Sequence, residues 1–81
     1  MKILIVTEYL TASAIQAGGG RFLRAEPPGE GRSKCGLVFC DDDGKASELL
    51  AKHQQGTLRI PTRDFASAIG SMKNAIFTAR G

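Results

Sequence analysis

Residues 34–55 constrain the fold more than any other stretch of the chain. Cys35-Gly36-Leu37-Val38-Phe39-Cys40 is a short apolar run with charge on both sides, of a length that suits a buried strand. The acidic cluster Asp41-Asp42-Asp43 with Gly44 stops it. A helical pattern follows over residues 46–54, with Leu49, Leu50 and His53 on one side, and Gly56 closes it as a glycine just past a helix end often does. Strand, acidic turn and helix predict a small α+β domain, an antiparallel sheet of four or five strands with one or two helices packed on one face.

Eighty-one residues make one domain. A chain of this size removes only roughly 60–65% of its unfolded surface from water, so its core is thin. Hydrophobic residues at 42% and charged residues at 23% are ordinary for a globular chain and argue against disorder. Four Phe, one Tyr and no Trp leave little material for a large aromatic platform. The formal charge of +3 excludes a whole-surface mimic of DNA and is small for a protein that coats it. No stretch approaches the ~18 apolar residues of a membrane span, and Ile3-Leu4-Ile5-Val6 is too short for a signal peptide. The expected location is the cytoplasm. Cys35 and Cys40 are five apart, so on one strand they point to opposite faces and read as two buried thiols.

Along the chain, residues 2–9 read as a first strand. Its continuous, β-branched run Ile3–Val6 suits a strand with both faces at least partly covered. Residues 11–20 are small and polar and end in Gly18-Gly19-Gly20, which predicts a flexible loop or a wide hairpin connection. Residues 21–26 form a second strand, with Arg21, Leu23 and Ala25 on one face and Phe22, Arg24 and Glu26 on the other. Pro27-Pro28-Gly29 breaks it, and residues 34–40 complete an antiparallel meander. Residues 56–60 alternate polar and apolar and read as a fourth strand, ended by Pro61. The last twenty residues admit two readings. Phe65, Ile69, Met72, Ile76 and Ala79 make a helical stripe, with Thr62 as cap and Asp64 in the first turn. Gly70 and Lys73-Asn74 instead suggest a short helix, a turn and a strand over residues 75–79.

The motifs that carry chemistry fail on spacing. With Gly44 in the sixth position of a calcium loop, Phe39 falls first and Leu50 twelfth, where carboxylates are needed. The bland role of the acidic triplet, capping the helix, fits better. Gly44-Lys45 is followed by Ala46 and preceded at the key position by Phe39, so no P-loop exists, and Gly18-Gly19-Gly20 is a loose loop. His53, the single histidine, has no second ligand at zinc spacing and suits the negative end of a helix. Serines, threonines and cysteines have no identifiable base partner. The expectation is a non-enzyme with no cofactor and no metal.

Charge offers one lead. Arg21, Arg24, Arg32 and Lys34 are four of eleven basic residues within a fourteen-residue span. On adjacent strands they would form one basic edge, with Tyr9 and Phe22 available to stack. Such an edge fits a phosphate backbone or the acidic groups of a protein. The competing reading is a solvated sheet face.

Thr7-Glu8-Tyr9-Leu10, Thr11 and Ser13, then Leu23-Arg24-Ala25, resemble a group of small phage and prophage proteins. These open with a strand, a Thr-Lys-Tyr-Leu signature, a Thr-rich loop and a Gly-x-Arg-Ile-Lys-Ala strand. Lys73-Asn74-Ala75-Ile76-Phe77 is similar to their closing Lys-Asn-Gly and aromatic strand, which favours a strand at the C-terminus. Glu8 stands where the group has lysine, the glycine loop is longer, and residues 61–70 look inserted. The resemblance implies mobile-element origin and no catalytic residue. Together with size and the missing chemistry, it suggests a stoichiometric inhibitor of a host defence complex, of the anti-CRISPR kind that binds a surveillance complex. The basic residues with Tyr9 and Phe22 would form its contact surface. The rival is a small nucleic-acid-binding or regulatory module using the same edge. A virion assembly protein is a third reading, and the oligomeric state is open.

Overall fold

The computed structural model describes residues 1–80. In chain order it contains β1 (Ile3–Val6), α1 (Tyr9–Ala17), β2 (Arg21–Glu26), β3 (Gly36–Cys40), α2 (Lys45–Gln55) and α3 (Thr62–Arg80). The class is α+β. The sheet has three antiparallel-paired strands in the order β1-β3-β2, fewer than the four or five expected, and three helices accompany it.

The expected meander is replaced by a crossover. β1 and β2 both pair antiparallel with β3, so they run parallel to each other on its two sides, joined by α1. That helix overturns the loop expected over residues 11–20, and it takes Tyr9 out of the first strand. Thr11-Ala12-Ser13-Ala14 has no large apolar stripe to announce a helix. Its small side chains instead let the backbone approach the sheet and α3, and residues 12–15 are all buried. The Ser13 hydroxyl is satisfied by donating to the Tyr9 carbonyl at 2.6 Å. The glycines end the helix tightly. A Cβ on Gly20 would lie 2.5 Å from Ile15 Cγ2 and 2.8 Å from the Ile15 carbonyl oxygen, so only glycine fits there.

The fourth strand is absent. The amides of Thr57 and Leu58 both donate to the Lys52 carbonyl, at 3.0 and 3.3 Å, finishing α2 instead of joining a ladder. Gly56 adopts the left-handed conformation that ends the helix, φ 75°, as its position predicted. At the C-terminus the helical stripe prevails over the resemblance: residues 62–80 are one helix, and no strand forms at residues 75–79. Pro61 supplies the carbonyl that accepts from Phe65, which leaves Thr62 inside the helix and not at its cap. No helix among the described residues is long and apolar enough to cross a membrane.

Burial of one side of the sheet holds these pieces together. Leu37 and Phe39 of β3 are fully buried in a cluster with Ala12, Ile15, Ala46, Leu49 and Met72, and Leu4, Val6, Phe22 and Ala25 border it. Phe22 meets Phe39 edge-on, with ring centroids 5.4 Å apart. The opposite side of the sheet is exposed along its edge strands, although Val38 of β3 is fully buried there. Ile3 and Ile5 are 43% and 49% exposed, so the β1 run is covered on one face only. A bulge between Phe22 and Arg24 changes the alternation of β2. Arg21, Arg24 and Glu26 pair with Cys40, Val38 and Gly36 and share the open face, while Phe22 and Ala25 turn inward. Cys35 is buried and Cys40 half-buried; both are free thiols.

Candidate functional site

The two ends of the sheet differ in charge, and the chain path decides which residues gather at each. β3 runs toward Asp41-Asp42-Asp43, and β1 and β2 start beside that turn. Every acidic side chain of the turn is engaged locally. Asp41 accepts from the Ser47 amide at 3.0 Å and from the Ser47 hydroxyl, Asp43 accepts from the Lys45 amide at 3.0 Å, and Asp42 accepts from the Lys2 amide at 2.7 Å. The first two satisfy amides at the start of α2, whose cap residue Gly44 has no side chain to do so. Ser47, through hydroxyl and amide, holds the Asp41 carboxyl below its ordinary range. The Lys2 amide does the same for Asp42, assisted by the Cys40 thiol, the N-terminal ammonium and Arg21. The turn is a structural joint.

At the other end, three segments converge on a cavity of about 430 Å³. Thr7, Glu8 and Tyr9 come from the start of α1, Ser33, Lys34 and Cys35 from the β2–β3 loop, and Ile76 and Arg80 from the end of α3. The Arg80 guanidinium donates to the Ser33 carbonyl at 2.8 Å and fastens the loop to the helix. Lys73 places its ammonium 5.4 Å from the centroid of the Tyr9 ring. Arg32 lines an adjoining groove with Thr7, Gly31, Ser33 and Lys34. Lys34 and Arg80 thus line a cavity whose one acid is Glu8, with Arg32 in the adjoining groove and Lys73 over the Tyr9 wall. None of the four is ion-paired among the described residues, where the ion pairs are Arg24–Glu26 and Lys52–Glu48.

The six residues expected from sequence are divided by this arrangement. Tyr9, Arg32 and Lys34 come together at the cavity. Arg21 and Arg24 lie on the open sheet face; Arg24 is ion-paired to Glu26 at 3.3 Å, and Arg21 stands near Asp42 and Asp43 in a separate hollow. Phe22 turns inward and is half-buried at the border of the core. Sequence reasoning missed Lys73, Ile76 and Arg80. The stripe that includes Ile76 was legible, but nothing local showed that α3 ends against a loop 47 residues earlier.

The cavity combines an apolar wall, Ile76 with the Tyr9 ring, with hydroxyls and cations. Such a lining can accept an apolar side chain accompanied by a carboxylate. Among the described residues no three His, Cys, Asp or Glu side chains are grouped to hold a metal ion. No protein-family model matches this chain, and no curated protein or solved structure matches it significantly.

Proposed function

We propose that this chain acts without chemistry of its own, by stoichiometric binding to a larger protein through the basic cavity. Its role on this reading is that of a phage or mobile-element accessory protein that inhibits a host defence complex, in the anti-CRISPR manner. The observation that carries the binding part is a concave, partly apolar site lined by Lys34 and Arg80 with a single acid, with Arg32 and Lys73 beside it. Charges left without a carboxylate partner at a site that also offers Tyr9 and Ile76 are what a protein contact uses: the apolar wall gives affinity and the cations give orientation. The resemblance of residues 7–25 to phage and prophage proteins supports the biological role.

The aromatic residues disfavour the nucleic-acid alternative. Phe22 is half-buried and packed edge-on against Phe39, and the Tyr9 ring already has the Lys73 ammonium over it, which leaves little open aromatic face for stacked bases. The test is a tagged capture from a defence-competent host with nuclease present, repeated with two double variants. On this reading a stoichiometric protein survives nuclease, is lost with Lys34→Glu/Arg80→Glu, and is kept with Arg21→Glu/Arg24→Glu. Expression of the chain should also protect phage from the host system. Bound material that disappears with nuclease, and affinity falling steeply and linearly in log–log terms with salt, would move the function to nucleic acid.

A further inference from the structure

The free edge of β1 offers a second interface, which shares Glu8 with the cavity and rests on a different observation. The Asp41 amide donates to the Lys2 carbonyl at 2.9 Å, and the ladder continues with Ile3↔Cys40, Leu4↔Phe39, Ile5↔Val38 and Val6↔Leu37. Hydrogen-bonded and non-hydrogen-bonded pairs alternate in an antiparallel ladder. Leu4 and Val6 therefore direct their backbone groups toward β3. Ile3 and Ile5 direct theirs outward, where the strand order leaves no neighbour. The side chains of these same two residues are the half-exposed isoleucines of the open face. An edge with unpaired amides and exposed β-branched side chains is a template for another strand.

The charges beside that edge select which strand. Residues 2–8 read Lys-Ile-Leu-Ile-Val-Thr-Glu, a cation and an anion equidistant from Ile5. A second copy, paired antiparallel about a two-fold axis at Ile5, sets Ile5 opposite Ile5, Leu4 opposite Val6, Ile3 opposite Thr7 and Lys2 opposite Glu8. The same parity makes Ile5–Ile5 and Ile3–Thr7 the hydrogen-bonded pairs, as the outward amides require. A shift of two residues one way sets Lys2 opposite Leu10 and Glu8 opposite Leu4, and the other way sets Lys2 opposite Val6 and leaves Glu8 with no residue opposite. Both are exposed, and neither has an ion-pair partner among the described residues. We infer that two copies of this chain join through β1 into one continuous six-stranded sheet, with Lys2 of each copy facing Glu8 of the other.

Four residues of edge make a small interface, so the equilibrium should depend on concentration and weaken with salt. Sedimentation equilibrium of the full chain at low salt, over a wide concentration range, reads it directly as a rise from one chain mass to two. Lys2→Glu and Glu8→Lys each set like charges opposite one another twice and should weaken association about tenfold or more. The double variant Lys2→Glu/Glu8→Lys restores opposite charges and should recover it. Circular dichroism of each variant separates lost pairing from lost folding. A wild-type chain of single mass at all concentrations overturns the inference. So does a dimer indifferent to the single reversals, or a folded double variant that stays monomeric. Mass is the readout, so failure here leaves the cavity reading standing, and failure of the cavity reading leaves this one.

Discussion

The acidic and basic ends of the sheet carry similar numbers of charges and use them in opposite ways. At the acidic end Asp41, Asp42 and Asp43 each accept from a nearby backbone amide, so the charges are committed to holding α2 and the N-terminus against β3. At the basic end Arg32, Lys34 and Lys73 have no recorded carboxylate partner among the described residues, and Arg80 bonds to a carbonyl. A carboxylate that satisfies helix amides contributes to folding. A cation beside an apolar cavity contributes little until a partner arrives. The contrast separates residues kept for structure from residues available for function.

Variants can break that contrast. The largest stability loss should come from Gly20→Ala beside the acidic end, where the added methyl meets the Ile15 carbonyl; about 1–3 kcal/mol by denaturant unfolding is expected. A loss near zero would mean that the α1–β2 joint is loose. Next, Lys34→Glu/Arg80→Glu should lower partner affinity about tenfold or more, while moving stability by less than about 1 kcal/mol. A large stability loss in that double variant would make the basic end structural and cancel the distinction. Asp41→Ala removes a cap contact and should lower the denaturant midpoint by less than Gly20→Ala does, with partner binding unchanged.

The smallest effect is on pH. The carboxyls of Asp41 and Asp42 are held below their ordinary range in the folded chain, so they bind protons less readily there than in the unfolded chain. Their contribution is therefore complete above the unfolded carboxylate range, near about pH 4, and is lost as pH falls through the lower folded values. Asp41→Ala should flatten this acid limb of the unfolding profile; an unchanged limb would assign it to other groups.

Some of this was legible locally. The run from Cys35 to Gly56 showed a strand, an acidic cap, a helix and its glycine stop, because caps and turns depend on residues a few positions apart. The stripe of α3 was visible for the same reason. Residues 11–20 were misread because small side chains leave no periodic signal, and they form a helix only where the sheet and α3 bury them. Residues 56–60 alternate like a strand, yet the amides of Gly56, Thr57 and Leu58 are taken by the end of α2. The bulge in β2 does bring Arg21 and Arg24 to one face. The expected basic edge still failed to assemble, because Arg24 pairs with Glu26, Arg21 stands beside the acidic turn, and the loop of Arg32 and Lys34 lies at the far end of the strand from Arg21.

The amino-acid sequence by itself determined the α+β class, the acidic joint before α2 and the long C-terminal stripe, each set by chemistry within one or two turns of chain. Tertiary structure alone decided the β1-β3-β2 order, the inward turn of Phe22 and the meeting of Tyr9, Lys34 and Arg80. Those contacts join residues tens of positions apart, and only closing the core around Phe39 and Met72 brings them together.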